Sequence, residues 1–306
     1  MEEPSRHFRP VNQTLRGRVL FNEPLSRHTS FRIGGPADYY AFPRDMEDLA
    51  AAIRMCNREG IPRFVIGNGS NLLVSDAGFR GLVIDLSEAF SDVRITGTTA
   101  TVDAGVTLWD FLRSLAGSGL AGLESLAGIP GQIGGGLRLN AGAFGTEIGD
   151  CLTSVAILDG RGELALTDRD SIRMEYRATD FPADAVIVQA RFEFREGNPA
   201  DLEATHQSVL AKRRDKQPLS LPSAGSVFKS PPGDFAGRLI EEAGLKGLRI
   251  GDAMVSKKHA NFIVNCQAAS ASDVRRLIDE VRRKVSERFA VELEPEIHFM
   301  GFENET

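Results

Sequence analysis

No stretch of about 18 uninterrupted apolar residues occurs in the chain, so no membrane-spanning helix is expected. The opening residues, MEEPSRHFRPVNQT, hold no apolar run either, and no secretory leader is expected there. Cysteine is scarce: Cys56, Cys151 and Cys266 lie far apart, form no CxxC pair, and each has apolar neighbours. Buried thiols in a reducing compartment are the expectation, and no metal site is assigned. Basic tracts are missing too. Nothing more extended than Lys212-Arg213-Arg214 is present and the formal net charge is −6, which argues against a nucleic-acid surface. These absences point to a cytoplasmic protein without a nucleic-acid or membrane partner, and no obligate protein partner is evident.

What is present is an ordinary globular composition, 42% hydrophobic and 25% charged, which excludes disorder. With 306 residues the chain exceeds one core and implies two or three domains. Glycine carries the most information. The stretch FVIGNGSNLLVSD (residues 64–76) is an apolar strand signal broken by Gly67-Asn68-Gly69-Ser70-Asn71 and resumed at Leu72. Successive N–H groups in such a turn form an anion-binding concavity that a diphosphate would fit, although a Gly-Asn turn between strands can be no more than a turn. A second stretch, Gly128-Ile129-Pro130-Gly131-Gln132-Ile133-Gly134-Gly135-Gly136 followed by Asn140-Ala141-Gly142, has more glycine than a regular element tolerates. Its interleaved Ile129, Ile133, Leu137 and Leu139 fit a backbone surface against which a ligand lies better than a flexible linker.

The remaining elements follow from caps and periodicity. Phe31 and Ile33 read as a strand ended by Gly34-Gly35-Pro36. Asp45 with Asp48 starts a helix that Gly60 and Pro62 stop, and Thr107 with Asp110 starts another. A hairpin is expected about Thr96-Gly97 and a β meander over 152–194, with a turn at 179–182 just after Tyr176-Arg177. Arg177 taken alone reads as a surface ion-pair partner, and Ser226 as a turn serine. From Asp201 helices dominate, the clearest starting at Ser270 and Asp273. The tail 291–297 alternates like an edge strand able to hold Pro295.

The segments GNGSNLLVSD, LAGIPGQIGGGLRLNAGAFG, YRATDF, AGSVFK and LEPEI, in this order, closely resemble the UDP-N-acetylenolpyruvoylglucosamine reductases of bacterial peptidoglycan synthesis. The first two are shared with the wider vanillyl-alcohol-oxidase (PCMH) type of flavoprotein; the last three are specific to the reductases. The resemblance implies an α+β chain with FAD-binding subdomains at 1–78 and 79–200 and a C-terminal substrate-binding domain at 201–306. It implies noncovalent FAD held by Gly67, Asn68, Gly69, Ser70, Asn71, Gly128, Ile129, Pro130, Gly131, Gly135, Gly136, Asn140 and Gly142, with NADPH as hydride donor. The implied substrate is UDP-N-acetylglucosamine enolpyruvate, whose double bond takes a hydride at its terminal carbon and a proton at the second. Arg177 matches the family's arginine that meets the growing carboxylate charge, Glu296 the carboxylate that works beside it, and Ser226 the proton donor.

Tyr176, Lys216, Lys229, Ser230 and His259 fall on substrate-contacting places. Ser230 departs from the asparagine or basic residue common there. The short interval from Arg177 to Ser226 resembles the subgroup without an inserted, tyrosine-bearing loop. Two alternatives remain at this point. A related flavin oxidase often tethers its cofactor through a histidine, and none occurs in 64–76 or 128–145. A non-enzymatic binding module would have no need of Arg177, Ser226 and Glu296 together.

Overall fold

The computed structural model describes residue 11 and residues 13–302; the segment 1–10, where no leader was expected, lies outside the described residues. The chain forms two compact units, one from residues up to 21, 39–67 and 81–211, the other from 22–38, 68–80 and 212 onward. Strands are β1 Arg18–Pro24, β2 Pro36–Phe42, β3 Arg63–Ile66, β4 Leu72–Val74, β5 Phe79–Asp85, β6 Val93–Thr96, β7 Thr99–Asp103, β8 Leu152–Leu158 and β9 Leu164–Asp168. They continue as β10 Met174–Glu175, β11 Ala178–Thr179, β12 Val186–Glu193, β13 Arg249–Ile250, β14 Ala253–Val255, β15 Ile263–Asn265 and β16 His298–Met300. The helices are α1 Met46–Glu59, α2 Leu108–Gly117, α3 Ile133–Arg138, α4 Pro199–Lys216, α5 Ala236–Glu242 and α6 Ala271–Phe289. This is an α+β fold, as expected.

The first unit carries a sheet of order β1-β2-β5-β3, with β3 parallel to β5, and an antiparallel sheet of order β9-β8-β12-β7-β6. Parallel pairing of β3 with β5 requires a crossover between them, which residues 67–78 with β4 make, while α1 leads into β3 from β2. Asp45 caps α1 by accepting the Asp48 N–H, and Gly60 ends it in the left-handed conformation at φ 66°. The Asp48 carboxylate does more than complete a cap. Buried to 1% exposure, it accepts the main-chain N–H groups of Arg16, Gly17 and Arg44. A carboxylate removed from water is tolerable only when donors surround it in this way. Phe111, Phe192 and Phe194 pack ring on ring in the core, at centroid distances of 5.3 and 6.1 Å from Phe111.

Three expectations are corrected. Phe31 lies in a turn and Ile33 in the irregular backbone after it, neither in a strand; both are buried, and the strand begins only at Pro36. The alternation of 291–297 gives no strand, because only Pro295 makes a bridge and the ladder forms at β16. Of the cysteines only Cys56 is fully buried, while Cys151 and Cys266 are half-buried and all three are free. Burial pushes the Cys56 thiol up to about 11, which keeps it protonated and inert near neutral pH.

His206 lies on α4 at 1% exposure, its ring 6.0 Å from that of Trp109 and its Nδ1 without a hydrogen bond. Leu112, Leu115, Leu123 and Leu202 surround it, and only Glu203 and Glu124 oppose the desolvation that lowers its pKa. A group whose folded pKa is depressed is fully stabilising above its unfolded value of about 6.5, and the contribution fades as pH falls below that. Urea unfolding at pH 7.5 and 5.5 is therefore expected to show, in the parent, a loss from His206 of up to about 1.4 kcal/mol per pH unit that His206→Leu removes, leaving the part due to the other histidines held below their usual pKa, His259 and His298. Equal pH dependence in both proteins would mean that His206 is freely protonated in the folded state.

In the second unit β13, β14 and β15 form an antiparallel sheet, and β16 pairs in parallel with β4. Helix α6 starts with a reciprocal capping box, Ser270 accepting the Asp273 N–H and Asp273 the Ser270 N–H. Asp76 adds a second cap. Its carboxylate accepts the Ala271 and Ser272 N–H groups at 2.7 and 3.0 Å, which also places a negative charge at the positive end of the helix dipole. No helix among the described residues is long and apolar enough to cross a membrane.

Candidate active site

In the first unit the two glycine motifs meet. A Cβ on Gly67 would lie 2.9 Å from Gln132 Oε1, so the end of β3 reaches the second motif at this glutamine. That motif is pinned by the Leu108 N–H to Gly131 C=O and the Ile133 N–H to Val106 C=O, both 2.9 Å. Gly128 and Gly131 take φ of 75° and 130°, conformations that side chains rarely adopt. Ile129 is half-buried and Pro130 exposed at the mouth of this loop. At Gly134 a Cβ would come 3.1 Å from that of Ala104, which explains how α3 lies so close to the end of β7. At Gly135 a Cβ would meet nothing within 4 Å. There the helix offers bare backbone to open space, as a flat, bulky group such as a flavin nucleotide requires, and the residues fit FAD on this test.

Arg177 stands on the tip of a two-residue hairpin. Met174 pairs with Thr179 and Glu175 with Ala178, leaving Tyr176 and Arg177 as the turn, so the expected turn at 179–182 is displaced toward the arginine itself. Arg177 takes φ 57°, which costs a non-glycine residue of order 1 kcal/mol and is tolerated only where the surroundings enforce it. Its Nη2 donates to the Gly142 carbonyl at 2.9 Å, and its guanidinium lies 4.9 Å from the centre of the Tyr176 ring. The hairpin is braced from the second glycine stretch. Asn140, 1% exposed, donates to the Glu175 carbonyl at 3.1 Å and to Glu147 Oε2 at 2.5 Å, and accepts the Gly149 N–H. Its side chain is thus engaged with protein, and a cofactor contact from Asn140 would come through main chain. Arg138, which sequence reasoning passed over, donates to the carbonyls of Phe181, Pro182 and Ala185 and accepts the Thr179 hydroxyl on its own carbonyl. The only sequence signal for it was an arginine in an otherwise apolar LRL triplet.

The second unit assembles the remaining candidates. Asn68, Gly69, Ser70 and Asn71 form the turn before β4, and a Cβ on Gly69 would lie 2.1 Å from the His28 carbonyl oxygen. The Asn71 side chain donates to the Glu296 carbonyl at 3.0 Å, and the His298 N–H to the Asn71 carbonyl at 2.9 Å. Glu296 is therefore tied to the glycine loop through main chain. Gly225, at φ 76°, turns the chain immediately before Ser226, whose main chain bridges to Phe262. One residue on, the Val227 carbonyl accepts the Glu296 N–H at 2.7 Å, and the Lys229 N–H donates to the Glu294 carbonyl at 2.9 Å. Ser226 and Glu296 thus sit on paired stretches one residue apart.

Lys229 Nζ is in an ion pair with Glu294 at 2.6 Å, and Ser230 follows it half-buried. Lys216 is exposed at the end of α4. His259 Nδ1 accepts the Asn261 N–H at 3.3 Å, leaving Nε2 as the protonated nitrogen of the neutral ring. Burial, then the charge of Lys246, lowers its pKa, so the ring is neutral at pH 7. Gly237 on α5 makes room for it: a Cβ there would come 3.3 Å from His259 Cε1.

Comparison with known proteins now adds to this geometry. A family model described as "FAD binding domain" matches residues 37–168, and one described as "UDP-N-acetylenolpyruvoylglucosamine reductase, C-terminal domain" matches residues 217–300. Fold and glycine backbone together define a FAD-dependent oxidoreductase of α+β class. Among curated relatives, the UDP-N-acetylenolpyruvoylglucosamine reductase of Lachnoclostridium phytofermentans is 46% identical over 289 residues, covering 93% of each chain. That of Heliobacterium modesticaldum is 44% identical over 293 residues, covering 95% of this chain and 93% of its own. The crystal structure of the reductase from Thermus caldophilus superposes with a TM-score of 0.81 at 35% identity, covering 94% of this chain and 99% of that one. The chain belongs to the UDP-N-acetylenolpyruvoylglucosamine reductase family.

Proposed function

We propose that the chain reduces the enolpyruvyl group of UDP-N-acetylglucosamine enolpyruvate with NADPH, giving UDP-N-acetylmuramate for peptidoglycan synthesis in the cytoplasm. The observation that carries this reading is the retention of Arg177, Ser226 and Glu296 in a chain of this family, with the latter two on hydrogen-bonded neighbouring stretches. FAD, held by the backbone of Gly67 to Asn71 and of Gly128 to Gly136, would supply the hydride chemistry linking NADPH to the terminal carbon of the substrate. Arg177 meets the substrate carboxylate, whose negative charge grows as the hydride arrives, and Glu296 assists in the same step. Ser226 gives its hydroxyl proton to the second carbon and regains one from solvent. Tyr176, Lys216, Lys229, Ser230 and His259 hold the nucleotide sugar, the neutral His259 donating from Nε2 to an oxygen of it. Functionally, residues 1–78 and 79–200 are the two FAD-binding parts and 201–306 the substrate-binding part.

Acid precipitation of the purified protein is expected to release yellow flavin into the supernatant, because no histidine lies in either glycine stretch to tether it. NADPH should bleach the native protein and the enolpyruvyl substrate should restore its colour. Colour retained in the acid pellet would exclude noncovalent FAD, and a protein that takes up no FAD at all would sink the reading.

A further inference from the structure

Asn261 is 6% exposed and grips the extended stretch that bears Ser226. Its Nδ2 donates to the Phe228 carbonyl at 2.8 Å, and the Phe228 N–H donates to its Oδ1 at 3.0 Å. Its own carbonyl accepts the Val227 N–H at 2.8 Å. Three bonds therefore run from one residue to the two residues that follow Ser226. Only a primary amide offers a neutral donor and acceptor side by side, so it alone among side chains of this size can pair with both main-chain groups of Phe228. An apolar residue in its place would leave a buried N–H and C=O without partners. On its far side the same stretch is bound through Glu296 and Glu294, and Gly225 leaves the backbone before Ser226 with no side chain to hold it. Asn261 is then the fixed point on the serine's other flank.

We propose that Asn261 is a positioning residue for Ser226: it sets the peptide planes of Val227 and Phe228, and so the direction in which the Ser226 hydroxyl leaves the backbone, without itself touching substrate. The inference rests on the reading of Ser226 as proton donor. A misplacement of about 1 Å in a reacting group can cost about 10²-fold in rate, so the expected effect falls on the proton-transfer half of the cycle.

The test uses Asn261→Asp in the FAD-loaded enzyme. Aspartate keeps the size of asparagine and the acceptor for Phe228 N–H but sets a second acceptor against the Phe228 carbonyl. FAD content and NADPH bleaching should stay within about twofold of the parent, while reoxidation by the enolpyruvyl substrate slows by about 10-fold to 10²-fold. Amide exchange of a peptide covering 226–229, read by mass spectrometry with or without flavin, should accelerate. When Ser226→Ala is already present, Asn261→Asp should slow reoxidation by less than about threefold more, since coupled sites are not additive. Full multiplication of the two effects, or unchanged exchange over 226–229, would overturn the positioning role while leaving Ser226 as the donor. Undiminished reoxidation in Ser226→Ala would instead remove the donor reading, and the inference with it. An Asn261→Asp protein that neither binds FAD nor unfolds cooperatively would assign Asn261 to general stability and also refute the proposal.

Discussion

Ser226→Ala is expected to bleach with NADPH at nearly the parent rate and to reoxidise with the enolpyruvyl substrate about 10²-fold to 10⁴-fold more slowly, the usual loss for a general acid. Flavin reduction needs no proton delivered to the sugar's side chain, whereas quenching the enolate-like form of the substrate does. The main-chain bonds around Ser226 are made by Val227, Phe228 and Lys229, so removing one hydroxyl leaves the paired stretches in place. Both half-reactions must be timed separately by stopped flow, because steady-state turnover merges them. Slower bleaching with unchanged reoxidation would make Ser226 a residue that places the nicotinamide cofactor. In the parent, solvent deuterium should enter at the second carbon while the terminal carbon receives hydrogen from NADPH; solvent label chiefly at the terminal carbon, without exchange through the flavin, would reverse the assignment.

Arg177→Lys should lower turnover by about 10²-fold or more, comparable to the loss of one oxyanion donor. Lysine accepts the strained φ at the hairpin tip no better and no worse than arginine, so the backbone cost cancels between the two proteins. The difference lies in the head group. A guanidinium can keep its bond to the Gly142 carbonyl and still present two parallel N–H groups to a carboxylate, and an ammonium cannot do both with the same geometry. Turnover close to the parent's would show that Arg177 does not clamp the substrate carboxylate. A raised KM with unchanged kcat would place it in ground-state binding alone.

What could be read from the sequence was what local chemistry decides. The starts of α1, α2 and α6 were legible because Asp45, Thr107 and Ser270 cap them from three residues away, and the β6–β7 turn because Gly97 adopts the left-handed conformation it needs. Helix α4 was visible as the change to helical pattern at Asp201. Phe31 and Ile33 misled because alternating apolar residues also occur where a turn and the irregular backbone after it point two side chains into a core. The sheet of β13, β14 and β15 escaped because strands of two or three residues are too short to alternate. In the site, Arg177, Ser226 and Glu296 stood out only as parts of longer motifs, since each alone is an ordinary surface residue. The braces behind them, Arg138, Asn140 and Asn261, act through main-chain groups, and such bonds leave no pattern in side-chain spacing.

The double cap on α6 has a consequence for the order in which the protein can form during synthesis. Asp76 bonds to residues 195 and 196 positions later in the chain, and the partner strand of Leu72–Val74 is His298–Met300. Segment 68–80, which carries most of the first glycine motif, therefore leaves the ribosome long before α6 and β16 exist, with the earlier turn at 30–35 to bond to through Ser30 N–H to the Gly69 carbonyl and Gly35 N–H to the Ser75 carbonyl. Residues 39–67 and 81–211 can meanwhile collapse around their own core, ahead of the C-terminal partners of the segment between them. Closing that long loop is entropically slow, so the turn at 68–71 takes its final shape late and together with the stretches around Ser226 and Glu296. A nascent chain halted ahead of α6 would expose Leu72, Leu73 and Val74 as an open strand edge, a natural target for a chaperone.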